Sequence, residues 1–140
     1  MDVRGLIRIF LVAMAVLVTA GVFAGQASAG RTEPVENVKD EPIASGSGAE
    51  LSLEKVESGI RTGAVEKGWT ARKVEDGHMI VEIQVRKHHA VVDITYTPQS
   101  YSITYRDSAE LMYDGRNIHR NYNRWIANLR RQINVAFLHM

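Results

Sequence analysis

Cysteine is absent from the 140-residue sequence. This absence excludes disulfide bonds, thiolate catalysis and zinc sites with cysteine ligands, and it also excludes a lipoprotein anchor. The fold must therefore be stabilised by its hydrophobic core. The formal net charge is only +1, which is too small to argue for a polyanionic partner, while the length and a hydrophobic content of 45 % fit one globular domain.

The sequence also lacks the patterns that mark metal and cofactor sites. No glycine-rich phosphate-binding loop is present. Of the five histidines, His88 and His89 are adjacent, so on a strand they point to opposite faces and do not bind one ion together. His119 and His139 are too far apart along a helix to chelate a metal. We therefore expect neither a metal nor a cofactor.

Catalytic motifs are absent as well. The sequence has no nucleophile elbow and no pair of acids at a spacing suited to acid–base catalysis. A triad of Ser102 or Ser108 with His89 and Asp93 is not favoured, because His89 and Asp93 are too far apart within one strand to pair directly. We therefore expect no catalytic residues and predict that the protein is not an enzyme.

One long apolar run is present, over residues 9–24. Arg4 and Arg8 form a short basic region before it, and Ala27-Ser28-Ala29 follows it with the small-x-small pattern of a signal peptidase site. This arrangement predicts a cleavable signal peptide over residues 1–29 and a periplasmic product that is not an integral membrane protein. A retained membrane anchor is the alternative, but the run is shorter than the roughly 20 apolar residues of a spanning helix.

The remaining charges are unevenly distributed. Acidic residues are concentrated before residue 60, and none follows Asp114. The basic residues after that point are Arg116, Arg120, Arg124, Arg130 and Arg131. Residues 30–50 combine prolines, acids and a Ser-Gly run with few apolar side chains, so we expect a flexible acidic/Gly-Ser linker there.

A helix is predicted directly after this segment. Ser52 is a suitable N-cap, and an apolar stripe follows at helical spacing. The stripe consists of Leu53, Val56, Ile60 and Ala64. Gly59 and Gly63 lie inside the helix at a cost of about 1 kcal/mol each relative to alanine, which indicates close approach of a strand or of a second helix. Gly68 is placed to end the helix.

Three segments then show the alternation of β-strands, over residues 79–85, 90–96 and 101–105. The turn signal Glu75-Asp76-Gly77 precedes them, Lys87-His88 connects the first two, and Thr97-Pro98-Gln99-Ser100 turns the chain before the third. A second helical stripe closes the chain with Ile118, Tyr122, Trp125, Leu129, Ile133 and Ala136 or Phe137. The predicted fold over residues 51–140 is therefore a two-layer α+β domain of order α-β-β-β-α, with two helices packed on one face of a three-stranded antiparallel meander.

Part of this sequence resembles a family of small bacterial envelope proteins and lipoproteins with no characterised function. The likeness covers most of residues 51–140 and includes Lys67-Gly68-Trp69 and the strand pair over residues 86–96. Its main motif is IHRNYNRWIANL over residues 118–129, after Tyr101-Ser102-Ile103-Thr104-Tyr105 and Leu111-Met112-Tyr113. The resemblance implies a bacterial cell-envelope protein and supplies no catalytic residues. The chain departs from the family by lacking its lipobox cysteine.

These observations favour an exported, non-enzymatic binding or envelope-maintenance module. The partner would be an envelope protein, a glycan or a lipid headgroup. Nucleic acid is excluded, because the αβββα order is shared with double-stranded-RNA-binding domains in topology alone. The candidate binding residues are Arg120, Asn121, Arg124, Asn128 and Arg131 on the last helix and Gln84, Arg86, Asp93 and Arg106 on the sheet. The alternatives are a small periplasmic hydrolase, an accessory subunit of an envelope enzyme, or self-association through open sheet edges.

Overall fold

The computed structural model describes residues 30–140, and the predicted signal peptide over residues 1–29 lies outside them. The described chain has two helices, a five-stranded antiparallel sheet and a separate two-stranded sheet. The α+β class predicted from the sequence is therefore confirmed. Within residues 30–140, neither helix combines the length and the apolar character needed to cross a bilayer.

The elements are numbered here in chain order. The helices are α1 (Leu53–Glu66) and α2 (Arg120–Leu138). The strands are β1 (Thr32–Pro34), β2 (Val38–Pro42), β3 (Thr70–Glu75), β4 (His78–Val85), β5 (His88–Tyr96), β6 (Ser100–Ala109) and β7 (Asn117–His119). The large sheet has the order β2-β6-β5-β4-β3, and β1 pairs with β7.

The core lies between one face of the large sheet and the two helices. Alternate residues of β4, β5 and β6 are buried with the apolar stripes of both helices in one cluster. The largest fully buried side chains include Tyr101, Tyr122, Phe137, Ile60, Met79, Ile94 and Ile103. Because this cluster lies within residues 30–140, we expect that segment to fold without the leader.

Helix α1 forms as its sequence predicts. The Ser52 side chain accepts a hydrogen bond from the Lys55 amide at 3.2 Å, so Ser52 is the N-cap. At the other end Gly68 has a φ of +81°, and the Trp69 amide donates to the Ala64 carbonyl at 3.0 Å. These contacts form a Schellman motif, in which glycine relieves the steric cost of the left-handed backbone conformation.

The sheet has five strands, whereas the sequence predicts three. The predicted meander corresponds to β4, β5 and β6, which pair consecutively. The two additional strands, β2 and β3, form the edges of the sheet. Both are largely exposed, so neither has the alternation of apolar residues that identifies a half-buried strand. Edge strands are held by backbone hydrogen bonds to one neighbour. Because this pairing does not require particular side chains, the amino-acid composition of an edge strand does not predict it.

Residues 30–50 also differ from the predicted flexible linker. Strand β1 pairs with β7, and β2 pairs with β6 through a register shift between Val38 and Glu41. Asn123 of α2 fixes the connection between them, since its Oδ1 accepts from the Glu36 amide at 3.1 Å and its Nδ2 donates to the Pro34 carbonyl at 3.0 Å. The segment is therefore held by both the sheet and the last helix.

Helix α2 begins later than the predicted stripe, but the other residues of that stripe are buried as predicted and only Trp125 is not. Ile118 lies in β7, and the helix starts at Arg120. Ile126 is 2 % exposed and belongs to the core, whereas Trp125 is half-buried at its edge. The Trp125 ring instead lies near His88, with 6.4 Å between the ring centroids.

Candidate functional site

Five basic residues converge where β1, β7 and α2 meet. They are Arg31, His88, His119, Arg120 and Arg124, and together they form what we call the basic patch. The Arg120 amide donates to the Arg31 carbonyl at 2.9 Å, and Thr32 pairs with His119 across the two-stranded sheet. The rings of His88 and His119 stack with centroids 6.3 Å apart.

Both histidines of the basic patch are oriented by backbone groups. The Nδ1 atom of His119 accepts a hydrogen bond from the Asn121 amide at 3.1 Å, so His119 is the N-cap of α2. The neutral His119 ring therefore carries its proton on Nε2. Nδ1 of His88 lies 2.7 Å from the Glu110 carbonyl oxygen, to which it donates. The loop after β6 thus holds one ring and the helix holds the other.

The electrostatic environment of His119 is uniformly positive. Partial burial is the main cause that lowers the pKa of His119, and positive charge on His88, Arg120, Arg31 and Arg124 lowers it further. The first turn of α2 has no acidic residue to balance the positive end of the helix dipole. None of the three arginines forms an ion pair with a carboxylate of residues 30–140. The basic patch therefore carries positive charge with no direct compensation.

The other predicted residues of the last helix extend this surface. Arg131 is exposed, and its Nη1 atom donates to the Asn128 side chain at 3.3 Å. Asn121 is half-buried beside the basic patch. Arg130, by contrast, points to the other side of the helix, where it pairs with Glu41 at 2.9 Å. Of the five arginines after Asp114, only Arg130 forms an ion pair with a carboxylate of residues 30–140, and that pair holds the N-terminal segment.

Three of the predicted residues of the sheet, Gln84, Asp93 and Arg106, lie on its outer face, away from the helices. Asp93 is held there by Arg106 at 2.9 Å and by His78 at 2.6 Å. Gln84 donates to the carbonyl of Arg86, which lies in the β4–β5 turn. The sequence does not mark His78, because its contact with Asp93 depends on the register between β4 and β5. The predicted binding residues therefore form two separate surfaces, one on each layer.

The serine–histidine–aspartate combination considered above does not assemble. His89 contacts Glu82 at 3.0 Å, while Asp93 contacts His78. The Ser108 hydroxyl lies 2.8 Å from the Tyr105 hydroxyl instead of a histidine. Within residues 30–140, no cluster of three or more potential metal-ligating side chains is found.

A cavity of about 600 Å³ lies beside the loop that follows β6. Tyr105 and Tyr113 line it, with ring centroids 4.2 Å apart, and Tyr122 lies against Tyr105 with centroids 5.7 Å apart. The Tyr122 hydroxyl is buried and has no hydrogen-bond partner among the described residues. Burial is the main cause that raises the pKa of Tyr122. The sequence gives no sign of this cavity, because the three tyrosines come from different elements.

One asparagine of the last helix has a structural role. Asn123 is buried and binds residues 33–36. Asn117, by contrast, pairs with Pro34 at the start of β7, and its amide donates to the Asp114 side chain in the preceding turn at 2.7 Å.

The fold and the basic patch define a class of protein: a small α+β domain with an uncompensated cationic surface at the start of its last helix. Comparison with known proteins finds no family model, no curated protein and no solved structure that matches this chain.

Proposed function

We propose that this protein is an exported, non-enzymatic binding module of the bacterial cell envelope, and that its basic patch binds an anionic group of its partner. The single observation that supports the proposal is the convergence of three arginines and two histidines without an ion-paired carboxylate. Like charges repel, so gathering them raises the free energy of the fold unless an anion offsets the repulsion.

The donors available to such an anion are side chains. The amides of Arg120 and Asn121, the first two of α2, already bond to Arg31 and His119. The guanidinium groups of Arg120 and Arg124 remain, together with Nε2–H of His119. Arginine presents paired donors in a plane, which suits a phosphate or a carboxylate.

This proposal has a pH dependence that follows from His119. An anion favours the protonated ring, so binding raises the pKa of His119 from its depressed value and is coupled to proton uptake. Affinity should therefore rise as the pH falls from the pKa of the bound ring towards that of the free protein, which lies below the ordinary 6.5. His88, Arg31, Arg120 and Arg124 surround the ring and oppose its protonation in the free protein.

The test is a titration of residues 30–140 with inorganic pyrophosphate. The NMR signals of the Asn121 amide and the His119 ring are recorded at each step of the titration. We expect saturable shifts at both, and about a tenfold loss of affinity for each of Arg120→Gln and Arg124→Gln, which corresponds to about 1.4 kcal/mol. Arg72→Gln on β3 is the matched control, since it removes one exposed arginine elsewhere. Equal affinity of all three variants, or the absence of shifts, would refute the proposal.

The alternative function, a small periplasmic hydrolase, rests on the contact between His78 and Asp93 at 2.6 Å. A histidine oriented by a carboxylate is the base of many hydrolases. Among residues 30–140, however, no hydroxyl group hydrogen-bonds to His78, and Arg106 shares the Asp93 carboxylate. Hydrolysis of generic ester substrates that disappears in His78→Ala would favour this alternative over the binding module.

A further inference from the structure

We infer that the anionic partner of the basic patch is a phospholipid membrane surface. The inference rests on the proposed function and names its partner. It draws on where the chain enters the domain, on the shape and composition of the surface around the basic patch, and on the expected strength of the interaction.

The first argument is the position of the chain entry. The Arg31 carbonyl is hydrogen-bonded to the Arg120 amide at the start of α2, so the described chain begins beside the basic patch. The apolar run over residues 9–24 ends only five residues before Gly30. Five residues span at most about 18 Å when extended. While that run is in or at a bilayer, the basic patch must lie within reach of the headgroups.

Removal of the leader would end this tether but would leave the residues of the basic patch in place. Cleavage after Ala29 would place a new α-amino group at Gly30, next to Arg31. An α-amino group has an ordinary pKa of about 7.7–8.0, so it adds positive charge at neutral pH. The basic patch is thus near the membrane before cleavage and more cationic after it.

The second argument is the composition of the exposed face of α2. Its exposed residues after the basic patch are Ala127, Arg130, Arg131 and Leu138, and the one large hydrophobic side chain among them, Leu138, lies at the opposite end of the helix from the patch. A stable protein interface generally has an apolar centre of aromatic or aliphatic anchors. A headgroup layer needs no such anchor and no shape complementarity, because basic residues near it are attracted through charge. The exposed face of α2 therefore fits a lipid surface better than a folded protein partner.

The third argument is the expected strength of the attraction between the basic patch and an anionic membrane. Each arginine near an anionic leaflet favours membrane partitioning about fivefold, which is about 1 kcal/mol. Arg31, Arg120 and Arg124 together would then give an increase of about a hundredfold over a zwitterionic surface. Screening by salt weakens this attraction within a Debye length of about 8 Å at physiological ionic strength. The association is therefore expected to be reversible and salt-sensitive.

The experiment is co-sedimentation of residues 30–140 with vesicles. One set contains anionic phosphatidylglycerol mixed into phosphatidylcholine, and the other contains phosphatidylcholine alone. The double variant Arg120→Gln/Arg124→Gln is compared with Lys55→Gln/Arg72→Gln, which removes the same charge from exposed positions on α1 and β3. We expect binding to the anionic vesicles only, a loss of about 25-fold in the first double variant, and no more than a few-fold loss in the control.

The outcomes separate this inference from the proposed function. Binding of pyrophosphate without binding of anionic vesicles would overturn the membrane partner and leave the anion-binding function in place, with a glycan or an acidic protein as its source. Failure of both would overturn both. Equal binding to the two vesicle types, or equal losses in the two double variants, would also overturn the inference, because the attraction would then not come from the basic patch.

Discussion

At the scale of single residues, two buried tyrosines differ in whether their hydroxyl groups have a hydrogen-bond partner. The Tyr101 hydroxyl donates to the Asn134 side chain at 2.7 Å, and Asn134 in turn donates to Glu41 at 3.0 Å. The Tyr122 hydroxyl is equally buried but lacks a partner among the described residues. The pKa of both tyrosines is raised, chiefly by burial. The same residue type therefore has opposite energetic consequences at two positions.

This contrast leads to a prediction for the two tyrosines. Tyr122→Phe removes a buried hydroxyl that makes no hydrogen bond, so the free energy of unfolding should be unchanged or higher by about 1 kcal/mol. Tyr101→Phe, the matched control, breaks a hydrogen bond and should lower it by about 1–1.5 kcal/mol. Urea denaturation of the two variants measures both values. A loss in Tyr122→Phe as large as that in Tyr101→Phe would show that its hydroxyl is bonded.

At the scale of elements, the contact between α1 and α2 depends on two glycines. A Cβ atom added at Gly63 would lie 2.6 Å from the backbone nitrogen of Ile133, and one added at Gly59 would lie 2.5 Å from the Phe137 ring. A ring can rotate away, but helix backbone cannot yield without moving the whole element. Gly63 is therefore the position that sets how closely the helices approach, as the glycines inside the predicted helix had indicated.

A second prediction tests this contact. Alanine favours a helix over glycine by about 1 kcal/mol, but Gly63→Ala forces the helices apart at a cost of about 1–3 kcal/mol or more. We expect a net loss of stability, measured as a lower midpoint in thermal denaturation. Ser58→Ala, on the exposed face of the same helix, should raise the midpoint slightly because it changes only helix propensity. A rise in both variants would contradict the close approach.

At the scale of the whole molecule, its polar surfaces lie on opposite layers. The basic patch belongs to the helical layer, while the outer face of the sheet carries Asp93, Arg106 and His78 in mutual contact. A third group of charges joins α1 to the sheet edge, where Lys73 contacts Glu57 at 3.1 Å and Asp76 at 2.8 Å. In the second and third groups each charge is thus paired with one of opposite sign, whereas the basic patch has no such pairing.

Acid should destabilise the whole fold. The Lys73 ammonium holds the pKa of Glu57 below its ordinary 4.5 and that of Asp76 below 3.8. Groups with a depressed folded pKa stabilise the native state above their unfolded pKa, and this stabilisation is lost as the pH falls through the folded value. His119, whose pKa is also depressed, acts in the same direction from about pH 6.5 downward.

We therefore predict that the free energy of unfolding falls as the pH is lowered from 6.5 to 2. Urea denaturation at several pH values measures this fall. Lys73→Gln removes the cation that both carboxylates share, so its curve should be flatter below pH 4.5. His119→Gln should flatten the curve from about pH 6.5 downward. A wild-type stability that rises as the pH falls would contradict the assignment of these pKa shifts.

The sequence by itself determined the features that depend on local pattern. Helix α1 with its cap at Ser52 and its end at Gly68, the strands β4, β5 and β6, and the α+β class follow from periodicity and from turn and cap residues. Each requires only residues a few positions apart, and the physical preference acts at that range. The concentration of arginine after Asp114 was also visible in the sequence.

Only the tertiary structure decided the features that depend on distant partners. Strands β2 and β3 exist because β6 and β4 offer them hydrogen bonds, and their polar composition is a consequence of lying at the edges. Ile126 replaces Trp125 in the core because the sheet and α1 set which side of α2 is covered. The basic patch forms because β1 brings Arg31 back to the start of α2, a contact between residues about ninety positions apart that no local pattern encodes.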